Sequence, residues 1–342
     1  MNIDKETIRK RALYLVVEDG HRVGTQLASE FGLSRQVANG YMQALIKEGL
    51  IEAEGSTRAR VYRLKLLAEA NHAYPREGLQ EDLVWRRDFL PLVADLPENV
   101  RDVWHYGVTE MVNNAIDHSG SAEVRVALMR NALFTDVYVA DDGEGIFLKI
   151  QRALNLFDPR EAILELAKGK LTTAPEQHSG EGIFFTSRVM DGFDIHSGRL
   201  HFRHYRGTRD VLEERSADIA GTRVSMRLDN DSARTLKSVF DAFADSEEYT
   251  FDKTVVPVRL AQHEGEKLVS RSQAKRVAQR FERFKEVVLD FEGVAEIGQA
   301  FADELFRVFA AAHPDVRLRP INTSEAVALM VRRAISASGT AK

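Results

Sequence analysis

Cysteine is absent from all 342 residues. No disulfide can form and no thiolate can hold a metal, which fits a reducing compartment. Long apolar runs are missing as well. Nothing in the chain is long enough to span a bilayer, and the charged, helix-patterned first residues hold no apolar stretch of the kind a secretory leader needs. The sequence therefore reads as cytoplasmic, with no membrane partner. Positive charge is not in excess either: the net charge of -5 argues against a surface that coats nucleic acid as a whole.

What is present suffices for about two or three domains, each with its own core. The charge is uneven. Residues 1–65 carry 11 Lys/Arg against 8 Asp/Glu, and the other 277 carry 36 against 44. If one end meets DNA, it is the N-terminal one.

Residues 1–66 read as a small helical domain. Ile8, Ala12, Leu13, Leu15 and Val16 mark a first amphipathic helix, and Leu27, Ala28 and Phe31 a second that stops at Gly32. Ser34 is placed to cap a third, with Val37, Tyr41, Leu45 and Ile46 as its core positions. Two short strands around Gly55 follow. This order resembles a winged helix-turn-helix domain, whose third helix enters the major groove. The resemblance implies that Arg35, Gln36, Asn39 and Gly40 face bases, and that Arg58 and Arg60 on the wing face phosphates. A winged helix used for protein contacts is the alternative.

The stretch from Thr109 to Gly145 organises the middle of the chain. Glu110, Asn114 and Asp117 recur at i, i+4 and i+7, so a helix sets them in one polar stripe beside the apolar Val108, Met111, Val112, Ala115 and Ile116. Polar groups at the edge of a core face are costly unless they bind something. Two alternating segments, Glu123–Met129 and Phe134–Ala140, predict a hairpin that leads into Asp141-Asp142-Gly143-Glu144-Gly145, a turn where backbone can approach a ligand. The pair of segments reads as a magnesium-nucleotide site.

These residues resemble the GHKL ATPase family over roughly residues 80–230. Glu110-x-x-x-Asn114 is similar to its N box, Asp141-x-Gly143-x-Gly145 to its G1 box, His178-Ser179-Gly180-Glu181-Gly182-Ile183 to its G2 box, and Gly221-Thr222 to its closing strand. The resemblance implies ATP and Mg²⁺ as cofactors. Glu110 would be the general base, Asn114 the metal ligand, and Asp117 would order water near the metal. Asp141 would accept from the adenine amino group, with Thr222 supporting it through a water, and Gly143 and Gly145 would leave room for the base. Lys168, Lys170, Thr172 and Thr173 are candidates for phosphate contact, and Gly180 and Gly182 open a helix whose free N–H groups suit phosphates. His118 reads as a helix cap or a phosphate contact, and His178 as a phosphate contact.

Residues 250–338 alternate strands and helices, with strands expected at Thr254–Leu260, Lys285–Phe291 and Val316–Ile321. This region resembles the STAS-like domain of anti-sigma-factor antagonists. Those of the sporulation type carry a phosphorylatable serine after the loop that follows the central strand; Gln299 stands there, with no hydroxyl. Lys275, Arg276, Arg280 and Arg283 read as one helix stripe, either solvated or a docking surface for an anion or protein.

The expected fold class is a multidomain α+β and α/β protein: a winged helix, a Bergerat-fold α/β sandwich, and a small STAS-like α/β module. The expected function is an ATP-binding, slowly hydrolysing regulator that binds DNA as a homodimer, with a further protein partner open at the STAS-like module. Two alternatives stay open: a protein serine kinase of the anti-sigma type acting in trans, and a nucleotide-sensing scaffold without turnover.

Overall fold

Helical periodicity at the N-terminus produces three packed helices in the computed structural model, which describes residues 4–56, 60–171, 180–208, 210–244, 250–262 and 266–339. They are α1 (Lys5–Glu18), α2 (Val23–Phe31) and α3 (Arg35–Lys47), followed by the antiparallel strands β1 (Ile51–Glu54) and β2 (Val61–Leu64). Gly32 ends α2 in the left-handed conformation, and the Ser34 hydroxyl accepts from the Val37 N–H at 3.2 Å to start α3. The core face of α3 differs from expectation. Ala38, Met42 and Leu45 are buried, while Val37 is 47% exposed and Tyr41 only half-buried. Both frames have helical spacing, and the small Ala38 with the pliant Met42 suits a close helix contact better than the branched Val37.

The middle of the chain is a five-stranded antiparallel sheet, ordered β3-β4-β5-β7-β6. Its strands are β3 (Ala68–Pro75), β4 (Glu123–Arg130), β5 (Phe134–Asp141), β6 (Gly192–Tyr205) and β7 (Val211–Asp229). The stretch from Leu66 to Gly78, which reads as a connector, supplies the edge strand β3. Its alternation is carried by Ala and Tyr only, a weak signal for an edge. On β4, Val124, Val126 and Leu128 are buried while Glu123, Arg125 and Met129 face outward, so one side of the sheet is covered. The covering helices begin with α4 (Glu81–Leu83), which continues through a π-helical turn at Val84–Phe89 into α5 (Leu90–Val93). Next come α6 (Glu98–His118), α7 (Ile146–Leu154), α8 (Glu161–Lys168), α9 (Gly182–Val189) and α10 (Leu236–Phe243). Trp104, Val108, Met111 and Val112 of α6 join Val126, Val137 and Val139 in the core, as the stripe predicts.

The C-terminal module is a three-stranded parallel sheet, ordered β10-β9-β8, made of β8 (Lys253–Pro257), β9 (Glu286–Asp290) and β10 (Arg317–Ile321). Around it lie α11 (Arg271–Ala278), α12 (Gln299–Asp303), a π-helical turn at Glu304–Phe309, α13 (Ala310–Ala312) and α14 (Glu325–Gly339). Pro320, which cannot donate to a ladder, sits on the edge strand β10. The basic stripe does not hold together as one face. α11 stops at Ala278, Arg280 turns left-handed at φ 69, and its side chain is buried.

The sheet domain and the C-terminal module share one hydrophobic core. Phe251 bridges them, with ring centroids 4.7 Å from Phe184, 4.8 Å from Phe185 and 5.6 Å from Phe284. The N-terminal helices keep a separate core, into which, among the described residues, the sheet domain reaches through the β4–β5 hairpin alone, by Leu133 with Ala132 and Phe134 at its margin. No helix among the described residues is long and apolar enough to cross a membrane.

Candidate functional site

A cavity of about 320 Å³ opens where α6, the β5–α7 turn, the end of α8 and the start of α9 meet. Helical spacing on α6 turns Glu110, Asn114 and His118 toward it. Asp141 and Thr222 face each other across the β5–β7 ladder at its floor. Gly145, Gly180 and Gly182 complete the rim. Eight of the residues singled out in the sequence thus converge from four separate segments: α6, β5 with the turn after it, the start of α9, and β7.

The contacts among them are close. A Cβ on Gly182 would stand 1.9 Å from Glu110 Oε2, so only glycine lets the first turn of α9 come this near the carboxylate. Asn114 is half-buried, and its Nδ2 is buried without a hydrogen-bond partner among the described residues. Such an orphan in a polar cavity calls for a ligand. Asp141 is buried, and its Oδ1 accepts from the Gly143 N–H at 2.9 Å. Burial pushes the Asp141 carboxyl above the usual carboxylate range, and the N–H groups of Gly143 and Thr222 pull it only part of the way back. The Thr222 hydroxyl accepts from the Ile146 N–H at 3.0 Å, which ties the start of α7 to the sheet.

Other expected residues lie elsewhere. Asp117, one turn beyond Asn114, is exposed and does not line the cavity. Gly143 lies against the end of α6, where a Cβ would stand 1.9 Å from the Ser119 carbonyl oxygen, and it shapes the turn without lining the cavity. Lys168 is wholly buried between domains, and Lys170 points to the C-terminal module, its Nζ 2.9 Å from the Arg283 carbonyl. Thr172, Thr173 and His178 fall outside the described residues. Lys149 escaped the sequence reading. It lines the cavity and its Nζ donates to the His118 carbonyl at 2.7 Å. The helical face Ile146, Lys149, Ile150 would have pointed to it. Among the described residues no cluster of three His, Asp or Glu side chains could hold a metal by itself. A cation here would therefore lean on Asn114 and on ligand oxygens, the habit of magnesium.

A second surface lies on α3. Arg35, Gln36 and Asn39 are exposed, as are Val37 and Gly40 beside them. None of the three polar side chains is paired within the described residues, whereas Arg9 of α1 is held by Glu48 and Arg11 by Glu18 and Glu30. Arg60 is half-buried at the start of β2, its Nε without a hydrogen-bond partner among the described residues, and Arg58 lies outside them.

Residues 273–328 match the family described as a STAS-like domain of unknown function (DUF4325). That span runs from within α11 into the first turn of α14, so it takes in β9 and β10 of the C-terminal module and leaves β8 outside. No curated protein matches the chain.

Proposed function

We propose that the protein binds ATP with Mg²⁺ in the α6 cavity, hydrolyses it slowly, and uses the nucleotide state to govern a DNA-binding N-terminal domain. The reading takes the sheet domain as a GHKL-type, Bergerat-fold ATPase and the first domain as a winged helix. One observation carries it: the acid–amide stripe of α6, the Asp141 turn and the Gly180–Gly182 start of α9 line a single cavity, in which Asn114 has an unpartnered amide.

Asp141, ionised, accepts from the adenine amino group, a contact that guanine lacks. The free N–H groups at the start of α9 receive phosphate oxygens, and the positive helix end favours their charge. Asn114 would hold Mg²⁺ through its amide oxygen beside those oxygens, where the ion spreads the charge of the leaving phosphates. Glu110 orients a water and takes its proton as the water oxygen bonds to the γ-phosphorus; the bond to the β-bridging oxygen breaks, and ADP and phosphate leave. On α3, Arg35, Gln36 and Asn39 present donors suited to base edges, and Arg58 and Arg60 neutralise phosphates. A homodimer fits paired half-sites.

Phosphate release from Mg-ATP by the purified protein, lost in Glu110→Ala while calorimetric binding persists, is the expected result. Absence of both heat and a gain in melting temperature with millimolar Mg-ATP would sink the reading. Transfer of label to a co-purified protein instead of water would replace hydrolysis by the kinase reaction.

A further inference from the structure

The end of α8 is capped by a different domain. A helix leaves its last carbonyls without intrahelical donors. Here the Thr254 hydroxyl donates to the Lys168 carbonyl at 2.7 Å, and Arg280 Nη1 reaches the Glu165 carbonyl at 3.3 Å. Arg280 Nη2 donates to the Gly169 carbonyl at 2.7 Å and also to that of Lys170, where Arg283 Nη1 adds a bond at 3.1 Å. Every one of these donors belongs to the C-terminal module.

The grip is built with buried charge. Lys168 is 0% exposed, Glu165 2% and Arg280 6%. Glu165 takes Lys168 Nζ at 2.5 Å on one oxygen and Arg280 Nη1 at 2.9 Å on the other. Lys168 spends a further donor on the Gln279 carbonyl at 2.9 Å. Arg280 and Lys170 both hold left-handed backbone, φ 69 and φ 50, conformations that cost non-glycine residues energy and persist where the surroundings enforce them.

What this grip holds is a cavity wall. Leu166 and Leu171 both line the α6 cavity, on either side of the gripped turn. The Leu171 N–H donates to the Gly180 carbonyl at 3.0 Å, and a Cβ on Gly180 would stand 2.4 Å from the Leu171 carbonyl carbon. A continuous path thus runs from Arg280 through the Gly169 and Lys170 carbonyls to Leu171, to Gly180 and so to the phosphate end of the cavity.

We infer that Arg280 is a positioning residue for the nucleotide site, through which the STAS-like module sets the wall formed by Leu166 and Leu171. The inference rests on the nucleotide reading of the cavity for its ligand, but the mechanical link stands apart from it. Removing the grip leaves the carboxylate, amide and glycine contacts to nucleotide in place and disorders the wall beside them.

Two variants test it in the full-length protein. Arg280→Lys keeps the charge but cannot fork onto two carbonyls. Lys170→Ala with Arg283→Ala loosens the same turn from its solvent side without emptying the buried cluster, so it keeps the question answerable if the first variant fails to fold. Calorimetry should find Mg-ATP bound roughly tenfold more weakly in either, from the loss of charge-assisted bonds to the turn. Hydrogen exchange without nucleotide should speed up at Leu171 and over the first turn of α9, but not in α3. Wild-type affinity and unchanged exchange in a folded variant would overturn the inference. If the wild type binds no ATP, the nucleotide reading fails alone, and faster exchange in the variants still upholds the link from Arg280 to the wall.

Discussion

The two ends of the chain join the central sheet domain in opposite ways. The N-terminal helices keep their own core and meet the sheet through one hairpin tip, Leu133, together with polar contacts such as Tyr14 to Asp229 at 3.0 Å. The C-terminal module shares its core with the sheet domain and adds a buried ionic cluster that caps α8. A small, mostly polar junction can reorganise at modest cost, whereas a continuous apolar core cannot. The end with unpaired polar side chains on α3 is thus the one free to be repositioned, and the end that matches a STAS-like domain is bonded to the turn that carries the cavity wall. The proposed regulation of DNA binding by nucleotide would have to pass through the β4–β5 hairpin and the polar contacts beside it.

The largest effect expected is at the C-terminal junction. Glu165→Ala leaves Lys168 and Arg280 buried without their counter-charge and should cost about 3–5 kcal/mol in urea unfolding. A loss under about 1 kcal/mol would show that water reaches the cluster, and the contrast between the ends would weaken. At the other junction, Leu133→Ala removes the one fully inserted apolar side chain and should cost about 2–4 kcal/mol from the cavity it leaves. That loss should fall on the N-terminal helices, so limited proteolysis is expected to release them while the tryptophan signal of the sheet domain persists.

Asp141 sharpens the comparison from within the cavity. Its folded-state carboxyl is raised by burial, so without ligand it keeps its proton to higher pH than the unfolded chain does, and that contribution to stability is lost as pH rises through the raised value. On the proposed reading the adenine amino group is held best by the ionised carboxylate, which is acceptor-only. Nucleotide affinity should therefore fall as pH drops through the raised value, beginning above the ordinary carboxylate range. Asp141→Asn should bind about tenfold more weakly at neutral pH and lack this dependence. The difference between the two proteins at each pH cancels titration of the nucleotide's own phosphates. A constant difference from neutral to mildly acid pH would remove Asp141 from base recognition.

Much of the middle domain was legible because its signals are periodic. A polar stripe at helical spacing set Glu110 and Asn114 on one face of α6, and strict alternation set the β4–β5 hairpin. What escaped depends on contacts far apart in sequence. Arg280 reads as part of a solvated helix stripe with Lys275, Arg276 and Arg283 unless one knows that the helix stops at Ala278 and that α8 needs its carbonyls capped from outside. Val37 reads as core because positions 37, 41 and 45, like 38, 42 and 45, step by three or four residues, and both sets fit one helix face. The glycine at 182 was legible as a glycine, but its reason, the approach of the Glu110 carboxylate, exists only once α6 and α9 are packed.

The smallest expected effect is the most direct check on the looser junction. Lys10 and Asp231 form an ion pair across it with side chains 43% and 57% exposed. Water screens such a pair, and holding two flexible side chains offsets much of the attraction. Beside it the Tyr14 hydroxyl, pushed up to about 12 by burial and by the Asp229 charge, stays protonated and donates to Asp229 throughout the physiological range. Lys10→Ala with Asp231→Ala should therefore change the unfolding free energy by less than about 1 kcal/mol. The remaining dependence should vanish with added salt, since only screened charge has been removed. A loss as large as that expected for Glu165→Ala would mean that the N-terminal domain is anchored as firmly as the C-terminal one, and the proposed movement of the N-terminal helices against the sheet domain would no longer be tenable.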